Sequence, residues 1–283
     1  MSTYGRLHTL NLDKDFNPNY YPEIEYDSFD FAGGESHIRI KHHNFDFGST
    51  AILTHRPKNG HDVIKILMAK DALIRYGFRS VQLVIPYLPY ARQDRVCNEG
   101  EAFSLKVFCE MINSANFSRV HILDPHSDVG SALLDNVVIH SNEEYVRLAM
   151  ELRINPINLV SPDVGASKKC QRLMSTGLFD GLIKCDKSRD LKTGALTGFE
   201  VLSGDVEGKD CLMVDDICDG GGTFMGLAKE LKIMGAGRMF LFVTHGIFSK
   251  GLDGLGDVFE KIYCTNSFKD VTHKQITQFK IEL

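Results

Sequence analysis

The sequence predicts an α/β protein made of two doubly wound parallel-sheet domains. Short apolar runs recur along the chain, at Val81–Ile85, Val120–Leu123, Ile157–Val160, Gly181–Cys185, Cys211–Val214 and Met239–Val243. Each hands over to a polar loop, and most are followed by helical spacing, which is the alternation of a parallel sheet. At 283 residues the chain is long enough for two ordinary domains, each with its own core. Counting elements puts the boundary near residues 138–145, dividing 1–140 from 141–283.

Composition sets the outer limits. With 43% hydrophobic and 24% charged residues the chain reads as a soluble globular protein. A net charge of -5 gives no reason to expect nucleic acid as a partner, so an anionic ligand would be held by local groups. No run is long and apolar enough for a bilayer, and no basic-then-apolar leader is visible. Neither a membrane partner nor a secretory route is expected. The seven cysteines are scattered and form no C-x-x-C pair, which suits reduced, mostly buried thiols in a cytoplasmic protein.

Residues 1 to about 28 show little periodicity. Phe29–Ile40 alternates as a strand, interrupted by Gly33-Gly34-Glu35, and a second strand is expected at Ser49–Leu53. Val63, Ile66, Leu67, Ala69, Leu73 and Ile74 mark an amphipathic helix. The strand at Val81–Ile85 runs into Pro86-Tyr-Leu-Pro-Tyr-Ala-Arg-Gln-Asp-Arg95, and a helix is expected from about Ser104 to Ala115. Val120–Leu123 delivers Asp124-Pro-His126. In the second half a helix near Glu143–Leu152 precedes the strand Ile157–Val160, the loop Ser161–Ala166, and a helix carrying Lys168, Lys169 and Arg172. Gly181–Cys185 ends in Asp186-Lys-Ser-Arg189, and the polar, turn-rich 190–198 segment is expected as a mobile flap. The last predicted strand, Met239–Val243, ends in Thr244-His-Gly-Ile-Phe-Ser249.

The chain is organised around Cys211-Leu-Met-Val-Asp-Asp-Ile-Cys-Asp-Gly-Gly-Gly-Thr223. An apolar strand meets Asp215, Asp216 and Asp219, then Gly220, Gly221, Gly222 and Thr223, and helical spacing resumes at Phe224, Leu227, Ala228 and Leu231. A glycine turn at a helix N-terminus is an anion site, because unpaired N–H groups and the positive end of the helix dipole point into it. The glycines and Thr223 would hold a phosphate, and the carboxylates would take ribose hydroxyls or a metal ion. The plain alternative is an acidic loop closed by a glycine turn.

Other candidate groups also sit where a strand gives way to a loop, the edge at which open α/β sheets place their ligands. Arg92, Gln93, Asp94 and Arg95 offer two guanidiniums for phosphate and an amide for a base edge. Asp124 with His126 offers an oxygen and a nitrogen ligand for a divalent ion, and Asp163 a further carboxylate. Lys187 and Arg189 are placed to close over a transferring phosphoryl group. The plain alternatives are surface ion pairs for the arginines, a core histidine at 126 and a solvated loop at 187–189. No G-x-x-x-x-G-K-[ST], G-x-S-x-G or H-E-x-x-H pattern is present, so P-loop kinases, serine-elbow hydrolases and zinc peptidases drop out.

These segments, with Val214-Asp-Asp-Ile-Cys-Asp-Gly-Gly-Gly-Thr223, Lys187-Ser-Arg189 and Thr244-His-Gly-Ile-Phe-Ser249, resemble the ribose-phosphate diphosphokinases in order and spacing from about 29 to 265. The resemblance implies two doubly wound domains of the phosphoribosyltransferase-like type, with ATP and magnesium (Mg2+) as cosubstrate and cofactor. It implies transfer of the β,γ-diphosphate to the anomeric hydroxyl of ribose 5-phosphate, with AMP leaving. It assigns ATP to Arg92, Gln93 and Asp94, with Arg95 in the same run, and magnesium to His126 and Asp163, with Asp124 beside them. Lys187 and Arg189 would stabilise the transition state together with the His126 region. Asp215, Asp216, Asp219 and Gly220–Thr223 would bind the sugar phosphate. Phe31–Glu35 looks like a loop that reaches the adenine across a dimer interface, so a homodimer or a multiple of it is expected.

Five departures stand out. The family usually has an acidic residue where Gly33 stands and Thr where Gly220 stands, leaving a roomier acceptor pocket. Its opening strand-and-helix sequence is not recognisable at the N-terminus, its Arg-Gly is not recognisable in Lys41–Thr54, and its final helix is missing after Phe279. Rival readings are the same transfer onto ADP-ribose, a phosphoribosyltransferase, and a catalytically silent regulatory homologue. Lys187-Ser-Arg189 and the Arg92–Arg95 run argue against the phosphoribosyltransferase, and the presence of His126, Asp163, Lys187 and Arg189 argues against the silent homologue.

Overall fold

The computed structural model describes residues 6–42, 44–46, 48–151, 157–189 and 196–283, and all of these side chains except those of 187–189 and 196–197. The chain divides into two compact units, Met1–Ser141 with Ile281–Leu283, and Asn142–Lys280.

Unit one is a five-stranded parallel sheet in the order β1-β4-β5-β6-β7: β1 Leu7–Asn11, β4 Thr50–Thr54, β5 Ser80–Val84, β6 Arg119–Leu123 and β7 Val137–His140. Three helices, α1 Gly60–Tyr76, α2 Ser104–Ser114 and α3 Asp128–Leu133, pack with one face of it. Val63, Ile66, Ala69 and Leu73 of α1 and Leu105, Phe108 and Ile112 of α2 join Ala51, Leu53, Leu83 and Ile122 in a single core. Asn59 caps α1 by accepting from the Asp62 amide at 3.1 Å, and Gly77 (φ 118) ends it. The expected strand at 29–40 is instead a hairpin, β2 Tyr26–Asp30 with β3 Ser36–Ile40. Its tip closes by Phe31 N–H to Glu35 O and Gly34 N–H to Phe31 O, both 2.8 Å.

The opening region does contain a strand, contrary to the sequence expectation. β1 pairs with β4, and its last four residues are buried. It escapes pattern reading because those residues include polar His8, Thr9 and Asn11. Asn11 is provided for, bonding Glu23 at 2.9 Å and Thr54, and His8 lies edge-on to Phe45 and Phe78, whereas Thr9 Oγ1 is buried without a hydrogen bond.

Unit two is a seven-stranded sheet in the order β10-β9-β8-β11-β12-β13-β14. Its strands are β8 Asn158–Ser161, β9 Gly181–Arg189, β10 Leu196–Ser203, β11 Cys211–Cys218, β12 Met239–Gly246, β13 Lys261–Thr265 and β14 Ile276–Phe279. All neighbours are parallel except β9 and β10. The helices are α4 Glu143–Glu151, α5 Ser167–Ser175, α6 Gly222–Ile233 and α7 Asp253–Gly256. Residues 187–189 therefore belong to β9, not to a loop, and 196–198 of the expected flap belong to β10; 190–195 lie outside the described residues. Likewise Asp215 and Asp216 are strand residues, because β11 keeps pairing with β12 to Cys218.

Six of the seven thiols are buried and only Cys97 is exposed, with no disulfide. Burial pushes Cys170, Cys185, Cys218 and Cys264 up to about 12 and Cys109 and Cys211 to about 11, so these thiols stay protonated and unreactive. Among the described residues, no helix is long and apolar enough to cross a membrane.

Candidate active site

Strand order locates the acceptor end of the site. In unit two the chain steps outward from β8 to β9 and β10, then returns to the other side of β8 and steps outward through β11 to β14. That reversal opens a crevice at the C-terminal ends of β8 and β11, the position where such sheets take ligands. Pairing of β11 with β8 stops at Met213, whereas pairing with β12 runs to Cys218, so Asp215 lies beyond the end of β8 on its open side.

Asp215 and Asp216 form an adjacent acidic pair. The Asp216 amide donates to Asp215 Oδ1 at 2.9 Å. Asp215 keeps some accessible surface, but dense protein around it makes burial the main influence, and its carboxyl is pushed well above the usual range. The charge of Asp216 and its hydrogen bond add to the rise, as does Asp163, and Lys169 opposes it. Asp163 itself holds the loop after β8: its Oδ1 accepts from the Ala166 amide at 2.9 Å, and its carbonyl accepts from Ser161 Oγ at 2.9 Å.

Past Cys218 the chain turns through Asp219, Gly220 and Gly221 into α6. Gly221 sits at φ 74 and is the N-cap, with no side chain capping the first turn. Here glycine is required, both by φ and because Leu255 would lie 3.0 Å from a Cβ. The early α6 amides are thereby left to a ligand, unlike those of α1. Gly222 is open, with nothing within 4 Å of a Cβ position. Thr223 is half-buried in the first turn.

Unit one supplies a second set. Asp94 is buried while Arg92, Gln93 and Arg95 are exposed. Arg95 grips Asp94 through Nε at 2.7 Å and Nη2 at 3.1 Å, so its guanidinium is engaged within the loop. That bond chiefly holds the Asp94 carboxyl down, to about 2, against the opposing effect of burial. Ser127 Oγ is buried without a formed hydrogen bond, yet lies near enough to favour the charged form, as does His126. His126 is exposed, so it is not a core histidine; His245 is, bonded through Nδ1 to Ser267 Oγ at 2.7 Å.

Asp124 is buried at φ 43 and Tyr90 sits at φ 61. Both occupy strained left-handed backbone in the loops after β6 and β5, where strain gathers at functional sites. Phe31 and Glu35 are exposed at the β2–β3 tip, with Phe29, Phe31 and His37 in mutual ring contact. Gly34, not Gly33, has the left-handed φ, so the tip does not demand glycine at 33. Among the described residues no three His, Cys, Asp or Glu side chains gather as an ion-holding cluster.

Comparison with known proteins settles the family. Residues 21–115 match the N-terminal domain of ribose phosphate pyrophosphokinase, and 198–280 match the phosphoribosyl synthetase-associated domain. A ribose-phosphate pyrophosphokinase of Maricaulis maris is 34% identical over 235 residues, 80% of this chain and 73% of the relative. The chain belongs to the ribose-phosphate pyrophosphokinase family. It is accordingly an enzyme of the transferase class. A family member from Mycoplasma pneumoniae is 32% identical over 269 residues, 89% of this chain and 79% of its own length. A crystal structure of phosphoribosylpyrophosphate synthetase from Mycobacterium smegmatis superposes with a TM-score of 0.82, covering 97% of this chain and 94% of that one. At 22% identity that likeness speaks for the fold alone.

Two features of the candidate site gave no sequence signal: the Arg95 to Asp94 clamp and the placing of Lys250 beside Gly220.

Proposed function

We propose that the chain moves the β,γ-diphosphate of ATP to the anomeric hydroxyl of ribose 5-phosphate. The anomeric oxygen bonds to the β-phosphorus, and the bond from that phosphorus to the α,β-bridging oxygen breaks. AMP leaves with the bridging oxygen, and the hydroxyl proton passes to solvent. One observation carries the reading: two carboxylates near the end of β11 are followed directly by a glycine turn into an uncapped helix N-terminus at the sheet's switch point. Carboxylates accept from ribose hydroxyls, and first-turn amides hold a phosphate.

ATP falls to unit one, where Arg92 and Gln93 present exposed donors beside the pre-ionised Asp94. The donor set fits magnesium, which takes one or two protein groups and completes its shell with phosphate oxygens and water. Asp124 and His126 in unit one, and Asp163 in unit two, are the residues that would each lie at a magnesium ion. Magnesium, when bound, neutralises charge on the transferring diphosphate. Lys187 and Arg189 would add charge that counts most in the transition state. Phe31 and Glu35 would meet the adenine of a second copy, which makes the active form at least a homodimer. A monomer in sedimentation that keeps full activity overturns that part.

ADP-ribose is the second reading. The opening is not at Gly220, whose free side is filled by Lys250, but at Gly222, where nothing stands near a Cβ position. A phosphodiester needs one such open side for its second substituent. The test is AMP release from ATP and magnesium with each acceptor, compared by kcat/KM, with a chelator arm. Release with ribose 5-phosphate supports the first reading, preference for ADP-ribose the second, and no release with either overturns both.

A further inference from the structure

The turn after β12 is laid along the end of β11 by three backbone hydrogen bonds. Ile247 and Phe248 both donate to the Cys218 carbonyl, at 2.9 and 3.1 Å, and Ser249 donates to that of Asp219 at 3.2 Å. The next residue on each chain then meets the other, Lys250 against Gly220. The turn is strained, with Phe248 at φ 47, and the Phe248 ring is seated where a Cβ on Gly246 would be.

Gly220 has no left-handed φ, so the backbone does not require glycine there. Its missing side chain leaves space, and the Lys250 stem takes that space. Cδ, Cε and Cγ of Lys250 lie 3.3, 3.4 and 3.6 Å from the position of a Gly220 Cβ. Nζ, one bond past Cε, is therefore within about 5 Å of that point. Lys250 is exposed, and among the described residues no hydrogen bond or ion pair engages it. An unspent cation thus stands beside a turn whose uncapped amides already favour an anion.

We infer that Lys250 binds the phosphoryl group on the 5′ carbon of the sugar acceptor, entering from the face that Gly220 leaves bare. The inference rests on the acceptor reading above and adds a residue to it. Where a hydroxyl side chain at 220 would offer one neutral donor, Lys250 offers a mobile full charge.

The test is calorimetric binding of ribose 5-phosphate and of ADP-ribose without ATP, alongside steady-state kinetics, for wild type, Lys250→Met, Lys250→Ala, Gly220→Thr and the Gly220→Thr/Lys250→Ala double variant. Lys250→Met keeps the stem and loses the charge. It should weaken the preferred acceptor about tenfold in Kd and KM, the lower end of what a charge-assisted contact is worth, with the KM for ATP unchanged. The acceptor that suffers more identifies the phosphoryl source, terminal monoester or diester. Gly220→Thr must displace the stem, so it should weaken binding in the wild-type background and much less once Lys250 is alanine. Unchanged acceptor binding in Lys250→Met, or simple additivity in the double variant, overturns the role of Lys250 alone. Failure of wild type to bind either acceptor overturns the acceptor reading, and this inference with it.

Discussion

Phe199 faces Lys187 across the β9–β10 ladder and sets its ring against Gly226 of α6, so closely that a Cβ there would overlap the ring edge. One contact thus ties β10, the ladder partner of the strand carrying Lys187, to the helix whose N-terminus forms the glycine cradle. Helix propensity alone would make Gly226→Ala stabilising by up to about 1 kcal/mol. The ring contact reverses that expectation. Gly226→Ala should lower kcat and the melting temperature together while leaving ATP affinity near wild type. A more stable, fully active variant would show that the hairpin does not depend on this seat.

Charge on β9 should matter for chemistry more than for binding. Lys187→Ala and Arg189→Ala should each lower kcat on the order of 10²-fold, the usual loss when one preorganised charge is removed. ATP affinity, read by calorimetry, should change little. Near wild-type turnover in both would remove these residues from the transferring group.

How much of this was readable follows from what each segment buries. β8, β11 and β12 are apolar runs covered on both faces, and β5 and β6 bury every apolar residue they carry, so composition alone marks these strands. β1 hid because His8, Thr9 and Asn11 are buried on account of residues far along the chain. β10 is an edge strand with Gly198 inside it and register shifts at both ends, so it reads as turn. The acidic pair and glycine turn were legible because they end a plain strand. Lys250 was not, since its place depends on hydrogen bonds from Ile247, Phe248 and Ser249 to a segment about thirty residues earlier. The bare face of Gly220 was a correct signal, but the roomier pocket expected there is taken up by the lysine.

The face of the unit-one sheet opposite its helices carries a titratable ladder. His121 Nδ1 meets His140 Nε2 at 3.0 Å, and His121 Nε2 meets Gln82 Oε1 at 3.1 Å. Burial pushes His121 down to about 4 from an ordinary 6.5, with the charges of His140 and Arg119 adding, and burial lowers His140 as well. Between those two values the unfolded chain holds a proton that the folded chain refuses, so stability falls as pH drops through that window. His121→Gln should flatten the loss, read as urea midpoints at pH about 7 and about 5. Parallel curves for wild type and variant would show that other groups set the acid limit.

The acidic pair makes the sharpest demand, because stability and function pull Asp215 in opposite directions. Burial, then the neighbouring Asp216, raise its carboxyl well above the ordinary value of 3.8. The folded protein therefore holds the proton more tightly than the unfolded chain does. That advantage is complete below the unfolded value and is lost as pH rises through the folded one, so near neutrality Asp215 weakens the unliganded fold. Asp215→Asn removes the charge and keeps an oxygen for the Asp216 amide that now donates at 2.9 Å. The variant should melt higher than wild type at pH about 8, and the gap should shrink toward pH about 4. Its kcat/KM for the acceptor should fall roughly ten- to a hundredfold, since a neutral amide is a poorer partner than a carboxylate for ribose hydroxyls. A variant that melts no higher at alkaline pH would show that Asp215 is not held at a cost. Unchanged kcat/KM would remove it from the acceptor site, leaving Asp216 and Asp219 to take the hydroxyls.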